Sequence, residues 1–386
     1  MKILWLCSWF PNDLDAFGGD FIERHAKSLS IHHPVDVIHL VQDQSLSKTG
    51  HAGIYTHHEH GLRVMVHVIQ GIHTGFSFLN KTLYNLHYFF SLRRILDDYI
   101  NTYGKPDVVH VHVPLKIGAG ALYLFRKYHI PFVVTEHNSA YFPHIPGYYQ
   151  TLNLYYRWIT RQSFRKALAV SSVSDWLTNR IQFLFNPKQL KVIRNSVDTG
   201  LFYHIPSQNS KKRFIHVSMM EPLKNVAGII KAFILLNASY VDWELVLVGP
   251  ANEEINELIK NGHIEDKVFM TGLIPYREVA EQMRQADVLV HFSRYENLPC
   301  VISEALCCGL TVISSDVGGV NELIDQKNGI LVKSEDIHAL KHAILNYIMN
   351  INLYNRENIS KEATSKFNYH TIGLELLKWY QELLKQ

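Results

Sequence analysis

Glu296 and Glu304 stand eight positions apart around an Asn297-Leu298-Pro299 turn, and the chain then reaches Gly318, Gly319 and Glu322. Pro299 suits the first turn of a helix, the apolar run through Leu306 continues it, and Gly309 suits the residue just past its end. On that reading Glu296 lies on the loop before the helix and Glu304 in its second turn, so the two carboxylates flank a helix N-terminus. Free N–H groups and the positive dipole end attract phosphate there, while ionised carboxylates only accept hydrogen bonds, which suits the hydroxyls of sugar and ribose. The chemistry this pattern fits is the holding of a nucleotide sugar.

Other polar clusters fit metal or dinucleotide chemistry less well. Asp13-Leu14-Asp15 has a D-x-D pattern but follows Pro11-Asn12 in a loop of turn composition. His57-His58-Glu59-His60 lacks a helical i, i+4 histidine pair and reads as an exposed turn. His110 and His112 alternate along a strand and are expected on opposite sides, unable to share an ion. No metal site and no cofactor are expected. Gly18-Gly19, after the first strand, lacks the G-x-G-x-x-G spacing of a dinucleotide fingerprint, which weighs against a nicotinamide-dependent dehydrogenase.

A chain of 386 residues that is 47% hydrophobic is long enough for two cores. The apolar opening run Lys2 to Phe10 is short, has no small-residue cleavage site after it and ends at Pro11-Asn12-Asp13, so it reads as a buried strand and not as a signal peptide. No stretch reaches the roughly 18 apolar residues of a membrane span. Cys7, Cys300, Cys307 and Cys308 form no Cys-x-x-Cys pair, which fits a reducing cytoplasm. The net charge of +3 hides an asymmetry: residues 1–200 carry 20 Lys and Arg against 13 Asp and Glu, and the remainder 18 against 22. A basic first half suits anionic lipid or a phosphate-bearing acceptor, and equally an uneven solvated surface.

Short apolar runs alternate with longer helical patterns in both halves, the sign of β-α-β units and parallel sheets. The strands expected in the first half are Ile3–Leu6, Val35–Ile38, Val108–Val111 and Phe132–Val134; in the second, Phe214–Val217, Leu245–Val248, Val288–Val290 and Thr311–Ile313. Between them, Asn195 to Arg213 holds Gly200, Pro206, Ser207, Ser210 and a Lys211-Lys212-Arg213 run, and reads as the domain boundary. In open parallel sheets the ligand sits beyond the carboxyl ends of the strands, so the loops after these strands should carry the site. Phe76–Arg94 and Tyr141–Lys166 are rich in aromatics and bases, a composition that suits a membrane surface or packing on the chain's own domain.

Landmarks occurring in order over nearly the whole chain carry a resemblance: Phe17-Gly18-Gly19, Asp107 to His112, Thr135-Glu136-His137, Asn195-Ser196-Val197-Asp198, Lys224, and the block from Glu296 to Glu322. The chain resembles glycosyltransferase family 4, whose members have the GT-B fold and retain anomeric configuration. The resemblance implies an α/β protein of two Rossmann-like domains with parallel sheets facing across a cleft. Residues 1–200 would form the acceptor-binding domain, 201–365 the nucleotide-sugar donor-binding domain, and 366–386 a C-terminal helix, with Trp379 and Tyr380, crossing back to the first. It implies a metal-independent hexosyltransferase moving a sugar from a nucleotide diphosphate sugar to a hydroxyl of a glycan or lipid-linked acceptor in cell-surface polysaccharide synthesis. The protein would be cytoplasmic and peripheral at the inner face of the membrane, without nucleic-acid partners. Closure of the two domains would align acceptor and donor and exclude water.

The family's roles map residue by residue. Glu296 would contact hydroxyls of the donor sugar and Glu304 the ribose. The backbone N–H groups of Asn297 and Leu298 would meet the diphosphate, and Lys224 its developing charge. Gly18 and Gly19 would let backbone approach the donor phosphate, His137 would approach the transferred sugar, and the Gly272-Leu273 loop would meet the base through backbone groups. Two positions depart from the pattern. Met219 stands where the family carries a second cation, which leaves two readings open, a substitute in Arg294 or a donor held differently, and Asn138 stands where an Asp often follows the histidine. The rival readings are an epimerase or phosphorylase on the same fold, or a non-catalytic nucleotide-sugar-binding subunit.

Overall fold

The computed structural model describes residues 1–43, 54–70, 77–143, 145, 147–206, 211–250 and 253–385. Phe76 of the first aromatic stretch, and Ser207 and Ser210 of the boundary segment, lie outside them. Two compact units divide the chain: Met1–Asn195 together with Tyr369–Gln386, and Ser196–Asn368.

The first unit runs β1 (Ile3–Cys7), α1 (Asp20–Ser30), β2 (Val35–Asp43), β3 (Ile54–Glu59), β4 (Leu62–Gln70), α2 (Ser77–Tyr103), β5 (Val108–His112), α3 (Gly118–Tyr128), β6 (Phe132–Glu136), α4 (Leu154–Lys166), β7 (Val170–Ser172), α5 (Asp175–Phe185) and β8 (Leu190–Val192). The second runs β9 (Lys212–Val217), α6 (Val226–Asn237), β10 (Trp243–Val248), α7 (Glu253–Asn261), β11 (Val268–Gly272), α8 (Tyr276–Gln285), β12 (Val288–His291), α9 (Cys300–Cys307), β13 (Thr311–Ser315), β14 (Gly329–Val332), α10 (Ile337–Met349) and α11 (Arg356–Phe367). The chain then returns to the first unit with α12 (Tyr369–Leu383).

Each unit is built on one sheet, ordered β3-β4-β2-β1-β5-β6-β7-β8 in the first and β11-β10-β9-β12-β13-β14 in the second. All pairings are parallel except β3 with β4. The central strands read as continuous apolar runs because helices cover both faces: β1, β5 and β6 are buried at every residue. The switch of direction in strand order, at β1/β5 and at β9/β12, places the loops after those strands where open sheets bind ligands.

Two sequence expectations are corrected here. The stretch His57-His58-Glu59 is strand and not turn; it pairs antiparallel with β4, and only His60 and Gly61, at φ 38° and 85°, make the turn. An edge strand needs one ladder and tolerates polar residues on its open side, which hides it from an apolar-run search. His110 and His112 share a side of β5, their ring centres 4.0 Å apart, because residues two apart in a pleated strand point the same way.

Helix α12 packs against α1 so closely that a Cβ on Gly373 would fall 2.0 Å from the Ser28 carbonyl oxygen. Ile372, Leu376, Trp379, Tyr380 and Leu383 are buried in the cluster that holds Ile3, Trp5 and Ile22. At about 2 kcal/mol per buried side chain their burial amounts to about 10 kcal/mol, as much as the whole stability of a typical domain. Among the described residues no helix is long and apolar enough to cross a membrane.

Candidate functional site

In the second unit the loops after β9, β11, β12 and β13 carry the residues singled out from sequence. Glu296 lies on the loop after β12 and α9 begins at Cys300, with Pro299 extended just before it. Gly309, at φ 74°, follows the end of α9, where a Cβ would meet the Arg356 carbonyl oxygen at 2.5 Å. Glu304 therefore sits in the second turn of a helix whose first N–H groups follow Asn297 and Leu298.

Glu296 is almost fully buried, and one of its oxygens takes two charge-assisted bonds. Lys224 Nζ donates to Oε1 at 2.7 Å and His291 Nε2 donates to the same atom at 2.9 Å. Burial alone would raise the carboxyl, but His291 and then Lys224 outweigh it and hold it at about 2. Lys224 ends a short 3-10 turn, Pro222–Lys224, that follows β9. Lys224 and Glu296 are 72 positions apart in sequence and meet because β9 and β12 are neighbours in the sheet.

Arg294 laces those two loops together. Its backbone N–H donates to the Leu223 carbonyl at 2.8 Å, its Nη1 donates to the Pro222 carbonyl, and its Nε donates to Glu335 Oε1 at 2.8 Å. The guanidinium sequence analysis offered as a substitute cation thus braces the turn that presents Lys224. Met219, where the family's second cation would stand, is half exposed.

The Gly318-Gly319 pair is explained by close backbone approach. A Cβ on Gly318, at φ 59°, would lie 1.8 Å from the Glu296 carbonyl oxygen, and the Gly319 N–H donates to the Asn297 carbonyl at 2.9 Å. Glu304 accepts from the Tyr276 hydroxyl at 2.7 Å, and Tyr276 opens α8 just past Gly272 and the exposed Leu273. Gly272 adopts φ 74° with open space where a Cβ would stand, and its carbonyl accepts from the Gly249 N–H at 3.1 Å.

Sequence reasoning missed His291, Tyr276 and Gly249. The strand-end position of His291 and the Gly249-Pro250 turn after β10 were available signals. A Cβ on Gly249 would fall 2.0 Å from the Ser218 carbonyl oxygen, so the loops after β9 and β10 touch through backbone. His216 is buried between Val290 O and Ser218 Oγ and, chiefly through burial, is lowered to about 3.

In the first unit, Gly19 caps the start of α1 at φ 80°, where a Cβ would meet the Trp9 carbonyl carbon at 2.6 Å. The Gly18 N–H donates to Asp15 Oδ1 at 2.8 Å, so the Asp13-Leu14-Asp15 carboxylates belong at least in part to this turn. His137 follows β6, its ring stacked on His112 with an Nε2 to Nδ1 distance of 3.1 Å, beside His25 and Phe21. Burial pushes His25 to about 4 and His110, His112 and His137 well below the usual histidine range, so these are neutral imidazoles suited to hydrogen bonding. His110 bonds the Tyr380 hydroxyl of α12 at 2.5 Å and Thr135 Oγ1 at 2.6 Å.

Glu136, named from sequence only within the Thr135-Glu136-His137 landmark, holds the turn that presents His137. Its Oε1 accepts from the His137 and Asn138 N–H groups at 2.9 and 2.8 Å, and its Oε2 from the Tyr141 hydroxyl at 2.5 Å. Burial nevertheless raises its carboxyl to about 7. Asn138, in place of an Asp, accepts from the Ala140 N–H at 2.9 Å.

Two family descriptions match the chain: Glycosyltransferase Family 4 over residues 21–201 and Glycosyl transferases group 1 over residues 202–366. Among named relatives, N-acetyl-alpha-D-glucosaminyl L-malate synthase of Bacillus anthracis is 27% identical, over 70% of this chain and 75% of its own. A Bacillus subtilis (strain 168) protein, TuaC, provisionally named as a teichuronic acid biosynthesis glycosyltransferase, is 25% identical over 90% of this chain and 89% of its own. The structure of the Anabaena protein HepE in complex with UDP superposes with a TM-score of 0.75 at 19% identity, over 99% of this chain and 100% of that one. That likeness is one of fold, GT-B with two parallel-sheet α/β domains.

Proposed function

Because the chain belongs to glycosyltransferase family 4 and is a glycosyltransferase, we propose that its second unit holds a nucleotide diphosphate sugar through Lys224, Glu296, Glu304 and the start of α9, and that the reaction retains anomeric configuration. The observation that carries this reading is the joining of Lys224, His291 and Glu296 in one hydrogen-bonded cluster just ahead of the first turn of α9. Glu296, ionised and acceptor-only, takes hydrogen bonds from hydroxyls of the donor sugar, and Glu304 takes them from the ribose. Lys224 is an ammonium on a braced turn, placed to meet the charge that gathers on the diphosphate as the glycosidic bond breaks. No protein nucleophile is required if the leaving phosphate helps deprotonate the acceptor from the same face. Backbone of Gly272 and Leu273 meets the base.

The first unit then binds the acceptor, a glycan or lipid-linked hydroxyl compound, with His137 as a neutral hydrogen-bonding group and Gly18-Gly19 admitting backbone to the reacting groups. The names of the relatives support a place in polysaccharide or glycoconjugate synthesis. Exposed Phe90, Leu154, Tyr155 and Trp158, with the Arg126 guanidinium 5.7 Å from the Trp158 ring, support peripheral contact with an anionic membrane.

The test is the anomeric outcome. The purified chain is incubated with nucleotide diphosphate sugars, and the configuration of the first sugar released to water or acceptor is followed by proton NMR. Retention is expected; inversion contradicts the proposed reaction course.

A further inference from the structure

A second set of residues, gathered around Lys116, lies at the carboxyl ends of β1 and β2. There a cavity of about 350 Å³ is lined by Trp9, Phe10, Asn12, Gly18 and Lys116, with Tyr84 and Tyr88 on one wall. The Lys116 ammonium lies 4.7, 5.6 and 5.9 Å from the ring centres of Tyr84, Tyr156 and Tyr88. Its recorded hydrogen bond, to the Tyr84 hydroxyl, is 3.5 Å long, at the limit of what counts as one. Burial raises all three phenols, Tyr156 to about 12, so none supplies a negative charge.

Among the described residues no carboxylate pairs with Lys116. Asp15 lines the same cavity, but its Oδ1 is engaged by the N–H groups of Phe17 and Gly18 at 3.2 and 2.8 Å. Burial lowers the Lys116 ammonium below its ordinary value, the direction expected of a half-buried cation without an anionic partner. Aromatic faces attract an ammonium through their quadrupoles, yet they do not satisfy three directional N–H donors. A ligand oxygen anion entering the cavity would do so.

We propose that Lys116, held by the Tyr84, Tyr88 and Tyr156 rings, is the subsite for an anionic oxygen group, phosphate or carboxylate, carried by the acceptor. The assignment rests on reading the first unit as the acceptor half. It narrows the acceptor to compounds with a negative group placed so that their hydroxyl lies toward Gly18.

The test uses the full chain in a Lys224→Ala background, which removes the donor-side ammonium, and compares it with the same chain carrying Lys116→Gln or Lys116→Arg. Each is titrated calorimetrically with glycerol 3-phosphate, with malonate, with glycerol as the uncharged control, and with phosphatidylglycerol vesicles. The expected result is that a charged ligand binds, that Lys116→Gln raises its Kd at least about tenfold, and that Lys116→Arg, which keeps the charge, stays within about threefold. Dependence on Lys116 in the soluble arms assigns the site to a small anion, and dependence in the vesicle arm alone assigns it to a lipid headgroup. Equal binding by all three chains, or binding of glycerol as tight as glycerol 3-phosphate, overturns the proposal. A separate titration of the unsubstituted chain with nucleotide diphosphate sugars reports on the donor reading, so a failure there is distinct from a failure at Lys116.

Discussion

A carboxylate that must accept hydrogen bonds from hydroxyls has to stay ionised, and Glu296 is kept so against its own burial by His291 and Lys224, at about 2. A folded value below the ordinary 4.5 means that its contribution to stability is present above pH 4.5 and is lost as pH falls toward 2. Glu136 is the opposite case. Burial raises it to about 7, so its share of stability is present below pH 4.5 and is lost as pH rises through 7, by up to about 3 kcal/mol at 1.36 kcal/mol per unit. Glu136→Gln keeps an oxygen for the two N–H donors and removes the titration. Urea unfolding at pH 5 and pH 8 should show the natural chain losing stability between them at this position, and the variant losing less by about that amount. An equal loss in both would mean that Glu136 ionises freely in the fold.

Elements place these residues through backbone contacts that admit no side chain. Gly318→Ala sets a methyl against the Glu296 carbonyl at a φ of 59°, a strain on the order of 1–3 kcal/mol. It should lower Tm by several degrees and weaken donor binding together, because the loop that yields is the one bearing Glu296. A variant with unchanged Tm and donor affinity would show that the two loops are not locked. The central strands of both sheets were readable from sequence because burial on both faces leaves apolar runs, and all eight expected strands lie within observed ones. The edge strands β3, β8, β11 and β14 and the inner strands β4 and β7 were not: half-covered or short strands such as Leu190–Val192 and Val170–Ser172 carry too few apolar residues to stand out, and Arg63 and His67 interrupt the apolar run of β4. Glu296, Glu304 and Gly318 were legible as a spaced block. His291 left only a weak signal, its place at the end of a strand, because what brings it into the site is the turn that returns Glu296 over the end of β12, and sequence spacing records no such return. His110 and His112 were misplaced by a wrong period count, and the strand geometry corrects it.

Over the whole molecule, charge is divided between the parts, with residues 1–200 at +7 and the remainder at −4. If the first unit meets an anionic membrane, co-sedimentation with phosphatidylglycerol vesicles should fall as salt rises from 0.05 to about 0.5 M, because exposed charges are screened beyond about 10 Å at 0.1 M. Trp158→Ala should weaken it further at every salt concentration. Binding indifferent to both would place the aromatic residues in packing alone. The central claim, that one ammonium and one ionised carboxylate grip the activated sugar, is tested most directly by steady-state turnover of a bound nucleotide diphosphate sugar by the unsubstituted chain, Lys224→Ala and Glu296→Gln. The account predicts that each substitution lowers turnover on the order of 100- to 1,000-fold while the chain stays folded. Turnover by either variant within a fewfold of the unsubstituted chain would contradict it.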